Sequence, residues 1–192
     1  MSFIPTFKIG LWNAWIFLVL LIFPSFIVPL INKEKWEKWA EGDPSWSEMG
    51  KAQKTVFVIT HMIILPLTLI YSIFLPLKLG TWWFIAGLII FIPAFLIILL
   101  FINLYLTAPP EKPITKSIYA FSRHPSYLSF FLGCVSIGIA CASWVFLLCA
   151  IIWIIVWNNG IVFEERILIK KYGNAYKEYM DRTPRWIGIP KR

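Results

Sequence analysis

The chain has 192 residues, of which 59% are hydrophobic and only 15% charged. Ordinary soluble domains carry roughly 45–50% apolar and about 25% charged residues, and a globule this small cannot hide so much apolar surface from water. Aromatics at 18% exclude a disordered chain. The net charge of +8 does not point to nucleic acid, because the cations stand between long apolar runs.

Residues 11–31 form the first uncharged apolar run. It is too long for a signal-peptide core and lacks a small-residue cleavage site, so it reads as a retained membrane span. Residues 32–54 mix five Lys and five acidic residues with Trp36, Trp39 and Trp46. That composition suits an element lying at headgroup level. Residues 55–77 and 82–107 are the second and third apolar runs. Each exceeds the ~20 residues needed to cross ~30 Å of hydrocarbon. The fourth run, 127–163, holds 37 uncharged residues. A straight helix of that length would reach about 55 Å, so the run predicts a hairpin turning near Ala142 and Ser143. Its short first leg is tilted or wedged between neighbours. Pro24, Pro29, Pro66, Pro76 and Pro93 sit at or within the runs, where neighbouring helices can satisfy the carbonyls that proline frees.

These elements predict an all-α integral membrane protein in one membrane domain. It has five transmembrane helices, the last two a helical hairpin, and a cytoplasmic C-terminal helix. Residues 1–107 make a three-span part and residues 108–192 a part that carries the motifs below. Charge sets the orientation. Of the 18 Lys and Arg, 16 lie in residues 32–54, 108–126 and the tail from 164. Only Lys8 and Lys78 fall on the other side. The positive-inside rule places the C-terminus in the cytoplasm and the N-terminus outside. Cys134, Cys141 and Cys149 all sit in apolar stretches. Their odd count and spacing give neither a disulfide framework nor a metal site, and they read as packing residues.

Polarity inside the runs collects near the cytoplasmic side. His61 lies in the second run, Asn103 and Tyr105 near the end of the third, and Asn158 and Asn159 near the end of the fourth. Tyr119, His124 and Tyr127 lead into the hairpin, and Glu164 and Glu165 follow it. Polar groups in lipid are expensive unless paired, so their convergence predicts a cavity open to the cytosol. Blander readings stand beside this one. His61 is a satisfied core histidine or lines the site. Asn158 and Asn159 are interfacial or belong to it. Glu164 and Glu165 form a dipole-favoured pair at a helix N-terminus or bind a ligand. Beyond them, Glu164, Leu168 and Tyr172 share one helical face. Gly173 and Asn174 are a stop signal, and a second short helix through Tyr176 and Tyr179 follows. Arg166, Lys170, Lys171 and Lys177 occupy the opposite face, solvated or against anionic headgroups.

Tyr119-Ala120-Phe121-Ser122-Arg123-His124-Pro125-Ser126-Tyr127 resembles the Y-x-x-x-R-H-P-x-Y segment of membrane methyltransferases. These include isoprenylcysteine carboxyl methyltransferases and phospholipid N-methyltransferases. Glu164-Glu165, Leu168, Tyr172-Gly173, Tyr176, Tyr179, Thr183-Pro184-Arg185-Trp186 and Pro190 are similar to the E-E-x-x-L-x-x-x-[FY]-G-x-x-Y-x-x-Y-x-x-x-[TV]-P-R stretch of the isoprenylcysteine branch. The resemblance covers about residues 103–190. It implies S-adenosylmethionine as methyl donor, released as S-adenosylhomocysteine, with no metal and no obligatory protein partner. It also implies a lipid or lipid-like acceptor that enters from the bilayer. Glu164 matches the family glutamate and would accept the donor's ammonium in a charge-assisted hydrogen bond. His124, Pro125, Ser126 and Tyr127 would hold the adenosine end. Tyr119 matches a cofactor residue, and Glu111, Lys112, Pro113 and Ile114 align with backbone contacts. Arg123 takes a ligand role or pairs with a carbonyl or headgroup. Glu165, His61 and Asn103 are further candidates to line the site.

Two positions depart from the family pattern. Ser117 stands where the family usually has Gly, which stiffens the loop. Gly160 stands where the isoprenylcysteine branch has an Arg aimed at the acceptor's carboxylate. An amide cannot neutralise a carboxylate as a guanidinium does. The resemblance therefore implies an altered acceptor site, in which Asn158 and Asn159 orient a neutral or amine acceptor. A phospholipid headgroup N-methyltransferase is one such reading. An NADPH-dependent sterol-reductase-like enzyme and a non-catalytic lipid-binding protein are two others.

Overall fold

The computed structural model describes residues 8–33, 49–109 and 111–191. Most of the expected headgroup-level element, residues 34–48, lies outside the described residues. The described elements in chain order are α1 (Trp15–Ile31), α2 (Lys51–Ile73), α3 (Trp82–Thr107), a 3₁₀ turn (Ser117–Ala120), α4 (Pro125–Ala140), α5 (Trp144–Tyr172) and α6 (Asn174–Arg182). Among the described residues the only strand-like feature is an isolated bridge between Asn13 and Pro76.

Three helices are long and apolar enough to cross a membrane: α2 with 23 residues, α3 with 26 and α5 with 29. α1 has 17 residues and α4 has 16, below the usual ~20. The surfaces fit lipid. On α3 the stripe Gly87, Phe91, Ala94, Ile98 and Ile102 is buried, while Ile85, Ile89, Ile92 and Leu96 on the other face are exposed. On α2 the buried residues are Thr60, Thr68 and Ser72, and the exposed ones include Met62, Ile63, Leu67 and Ile70. Water would favour the reverse arrangement. Each buried hydroxyl bonds back to its own helix: Thr60 to the Val56 carbonyl at 2.6 Å, Thr68 to Ile64 at 2.7 Å and Ser72 to Leu69 at 2.6 Å. Small and hydroxyl residues facing inward are how helices associate where apolar burial supplies no drive.

The 37-residue apolar run divides where its length requires. α4 stops at Ala140 and α5 starts at Trp144. Ala142 between them takes the left-handed φ of +52°, and Ser143 caps α5 by accepting from the Phe146 N–H at 3.5 Å. α4 is the wedge. Its buried residues include Ser129, Gly133, Cys134, Ser136, Gly138 and Ala140, which let three neighbours approach. A Cβ on Gly87 of α3 would lie 2.5 Å from the Ala140 Cβ, and one on Gly133 would lie 2.2 Å from Leu21 of α1. Ser129 also donates to the Ala94 carbonyl at 2.7 Å, so α3 and α4 are nearly in backbone contact. Cys134 and Cys141 are free and buried, and Cys149 accepts weakly from the Thr68 hydroxyl at 3.8 Å.

Backbone hydrogen bonds gather one set of helix ends. Ala14 N–H donates to Leu75 O at 2.8 Å, Leu77 N–H to Trp12 O at 3.0 Å, and Lys78 N–H to Ala140 O at 3.0 Å. Buried Asn13 adds side-chain bonds to the Lys8 and Ile73 carbonyls at 2.7 and 2.6 Å. The start of α4 and the end of α5 therefore face the other way, and there the two motifs meet. α5 runs unbroken through Glu164 and Glu165 to Tyr172. The pair is internal to a helix, so the reading of these acids as an N-terminal charge pair is corrected. Gly173, with φ of +60°, ends α5, a conformation that glycine takes without steric cost, and α6 follows.

Candidate functional site

Residues 117–124 bring the first motif to the mouth of α4. Ser117 holds a φ of +60°, the 3₁₀ turn follows, and Ser122 turns its hydroxyl oxygen to accept from the His124 N–H at 3.2 Å. Pro125 opens α4, where its missing N–H costs nothing. The tail beyond α6 is laced to this segment. Arg123 N–H donates to Pro184 O at 3.1 Å and Gly188 N–H to Phe121 O at 3.0 Å. The Ser122 hydroxyl donates to Arg185 O at 3.4 Å, and the Tyr179 hydroxyl to Tyr119 O at 2.7 Å.

Glu165 is the hub. Its side chain is 4% exposed. Arg185 donates Nη2 to Oε2 at 2.7 Å and Nε to Oε1 at 3.3 Å. Arg123 Nη2 lies 3.0 Å from Oε1 and His124 Nε2 lies 3.3 Å from the same oxygen. Arg123 also donates Nη1 to the Met180 carbonyl at 3.2 Å. Such bidentate, charge-assisted contacts are the strong kind, and they use up this carboxylate.

Glu164 differs. One residue on an α-helix is a rotation of about 100°, so its carboxylate points elsewhere. Oε2 lies 3.5 Å from His124 Nδ1, within ion-pair range but outside hydrogen-bond geometry. It is buried and has no hydrogen-bond partner, while the side chain as a whole is 33% exposed. The Tyr176 hydroxyl and Arg123 Nε are likewise buried and unpartnered. Of these, the Tyr176 hydroxyl lies close enough to both acids to feel their charge, and buried polar atoms without partners are the exception in folded proteins.

His124 stands between the two acids and is buried. Burial alone would lower its pKa, but the Glu164 and Glu165 carboxylates at its two nitrogens outweigh that and raise it. Tyr119, Tyr176 and Tyr179 are pushed well above the ordinary phenol range, chiefly by burial. They are neutral hydroxyl groups throughout the physiological range.

The other candidates divide. Tyr127 packs between the rings of His124 and Trp157, at centroid distances of 5.8 and 5.5 Å. Pro125 is buried and Ser126 half-buried beside them. Asn158 joins the hub, because Arg185 Nη1 donates to its Oδ1 at 3.4 Å. Asn159 does not. It donates to its own helix at Ile155 O, 3.0 Å away, and lines a cleft between α2 and α5. Asn103 is exposed on α3, and His61 packs against Phe57 and Trp153. Glu111 and Lys112 are exposed, and Pro113 and Ile114 half-buried, in the loop before the 3₁₀ turn. Sequence reasoning assigned no role to Arg185, Tyr179 or Ser122. The signals were the Tyr-x-x-Tyr and Thr-Pro-Arg spacing for Tyr179 and Arg185 and the place of Ser122 within the Tyr119–Tyr127 segment, none of which says that the tail folds back.

The profile of the phospholipid methyltransferase family matches residues 79–175, taking in α3, the loop, the hairpin and Glu164. The chain belongs to the phospholipid methyltransferase family. Within this family it is similar to a protein-S-isoprenylcysteine O-methyltransferase of Dictyostelium discoideum, at 34% identity over 88 residues. A second relative of the same name, from Schizosaccharomyces pombe, is 32% identical over 79 residues. Each match covers 40% of this chain and 32% of the relative, so the chain spans about a third of the length of the curated relatives it matches. The family match ends before the tail beyond α6, a strap over residues 183–191, so Pro184, Arg185 and Gly188 lie outside it.

Proposed function

We propose that this protein transfers a methyl group from S-adenosylmethionine to a lipid-borne acceptor at the cytoplasmic face of a membrane. The observation that carries the proposal is the inequality of Glu164 and Glu165. Glu165 is consumed by Arg123, Arg185 and His124, while the buried Glu164 oxygen has only the His124 ring at 3.5 Å and no hydrogen-bond partner. An ammonium group is the natural complement of that carboxylate. S-adenosylmethionine supplies such an ammonium together with a sulfonium-bound methyl that needs no further activation. The protein's part is then positional. Glu164 binds the ammonium, and the His124–Tyr127 segment offers rings and peptide groups to the nucleoside. Tyr119, Tyr176 and Tyr179 remain neutral and close the site. Holding donor and acceptor in line supplies roughly 7–11 kcal/mol of the barrier reduction.

The positive-inside rule, with 16 cations on the motif side, supports a cytoplasmic donor site, an external N-terminus and five spans in which α1 and α4 are short. The acceptor is amine or neutral rather than carboxylate. Gly160 offers no charge, and both arginines at the hub already hold Glu165. A phospholipid headgroup or a similar amphiphile meets that description.

Calorimetry with S-adenosylhomocysteine tests the reading. Glu164→Gln should weaken binding roughly tenfold or more, since hydrogen bonds to charged groups contribute about 1.5–3 kcal/mol. Undiminished affinity would remove Glu164 from the donor site. Binding of NADPH in place of S-adenosylhomocysteine would favour the reductase reading. Incubation with labelled donor and membrane lipid extract that yields no product would favour the non-catalytic one.

A further inference from the structure

A further unpaired polar atom lies deeper, where α5 packs against α2. Trp153 is 1% exposed, and its Nε1 is buried with no hydrogen-bond partner. An indole N–H can only donate, and a buried donor left unmade costs about 1–3 kcal/mol. His61 is its neighbour, with ring centroids 5.2 Å apart in an edge arrangement. His61 Nδ1 lies 2.9 Å from the Phe57 carbonyl. A carbonyl only accepts, so Nδ1 carries the proton and Nε2 of the neutral ring presents a lone pair. One donor and one acceptor therefore belong to neighbouring rings within the apolar thickness.

The surroundings are equally specific. α2 departs from α-helical geometry at this point, in a π turn over Thr60–Ile64 that includes His61. Such turns are frequent at functional positions. Phe57 stacks on the His61 ring at 3.8 Å and also lines the α2–α5 cleft of about 260 Å³, with Val56, Val156, Asn159, Gly160 and Phe163. A Cβ at Gly160 would meet nothing closer than Met49 Cε at 4.0 Å, so this position leaves the cleft open. Trp157 links the pair to the donor-site ring Tyr127, with centroids 5.1 Å from Trp153 and 5.5 Å from Tyr127. Eleven residues of α5 separate Trp153 from Glu164, roughly 16 Å at ~1.5 Å per residue.

We infer that Trp153 and His61 form a binding site for a hydroxyl group carried within the apolar body of an amphiphile, seated between α2 and α5. The hydroxyl accepts from Trp153 Nε1–H, which satisfies the orphaned donor, and donates to the His61 Nε2 lone pair. His61 is only half-buried, so the hydroxyl enters sideways from the bilayer. That the amphiphile is the methyl acceptor rests on the function proposed above; the site itself does not.

The test uses the full chain in phosphatidylcholine nanodiscs, with ¹⁵N-labelled tryptophan and the Trp153 indole signal assigned through Trp153→Phe. Methyl 12-hydroxystearate is titrated against methyl stearate, which lacks the hydroxyl. The hydroxylated ester should shift the Trp153 signal saturably, and methyl stearate should not. His61→Phe should raise the midpoint about three- to tenfold, the scale of one lost hydrogen bond, and His61→Gln, which retains an acceptor, should stay near the parent value. Equal shifts with both esters, or no shift with either because water alone fills the position, would overturn the inference. So would a midpoint indifferent to His61→Phe. None of these readouts involves the donor, so S-adenosylhomocysteine calorimetry passes or fails separately.

Discussion

Arg185 reaches back from the tail to grip Glu165 with two hydrogen bonds, Nη2 to Oε2 at 2.7 Å and Nε to Oε1 at 3.3 Å. This pair decides which of two adjacent acids is structural. It pins the strap beyond α6 against the mouth of α4, and it removes Glu165 from any role that requires a free carboxylate.

Removing Glu165 should therefore damage the fold more than removing Arg185. Glu165→Gln leaves Arg123, with a side chain only 10% exposed, without its counter-charge. Breaking a buried pair in this way costs about 3–5 kcal/mol. Arg185→Ala leaves Glu165 still held by Arg123 and His124, and its cost should be nearer 1–3 kcal/mol. Thermal unfolding in a single detergent ranks the two variants. An Arg185→Ala protein less stable than Glu165→Gln would contradict the hub assignment.

His124 gives the site a pH dependence with a defined sign. Its folded-state pKa is raised by Glu164 and Glu165 against the opposing effect of burial. The stability it contributes is complete below the unfolded value of about 6.5 and is lost as pH rises through the raised folded value. The stability difference between the parent protein and His124→Phe should shrink across that window. A difference that stays constant from acid to alkaline pH would mean the imidazole is not charged between the two acids.

Ser117 sits at the left-handed φ of +60°, a region that favours glycine. A side chain in that region costs roughly 1–2 kcal/mol, partly offset by glycine's greater entropy loss on folding. Ser117→Gly should stabilise the protein by about 0.5–1 kcal/mol, seen as a higher melting temperature. A lower melting temperature would show that the hydroxyl makes a compensating contact in the loop.

Asn158 and Asn159 should separate functionally. Asn158 accepts from Arg185 and Asn159 lines the α2–α5 cleft. Asn158→Ala should weaken S-adenosylhomocysteine binding severalfold through the hub, whereas Asn159→Ala should leave it unchanged and raise the KM for the acceptor. Identical profiles for the two variants would place both on the same face of the reaction.

Much of this was readable from the residues alone. Apolar runs longer than a bilayer needs set the helix positions. A 37-residue run without a charge had to turn, and it turns at residues 141–143. The two motifs picked out the end of the molecule where polar groups gather, because helix spacing and proline at a helix start are local properties. Five spans with a short first hairpin leg were the expectation; three of the described helices are long enough to cross a membrane, and α4, that short leg, lies buried among its neighbours.

Tertiary structure decided the rest. Adjacent residues on α5 differ by about 100° in direction, so only the packed helix separates Glu164 from Glu165 and Asn158 from Asn159. Arg185 entered the site because the strap bonds to residues some 60 positions earlier, a pairing with no local signature. His61 stood apart from the motif residues because α2 carries it to Trp153 rather than to His124. Composition and local pattern determined that the chain is helical, apolar and suited to lipid. The direction of each polar side chain, and hence which groups are spent and which are free, depended on how the helices close on one another.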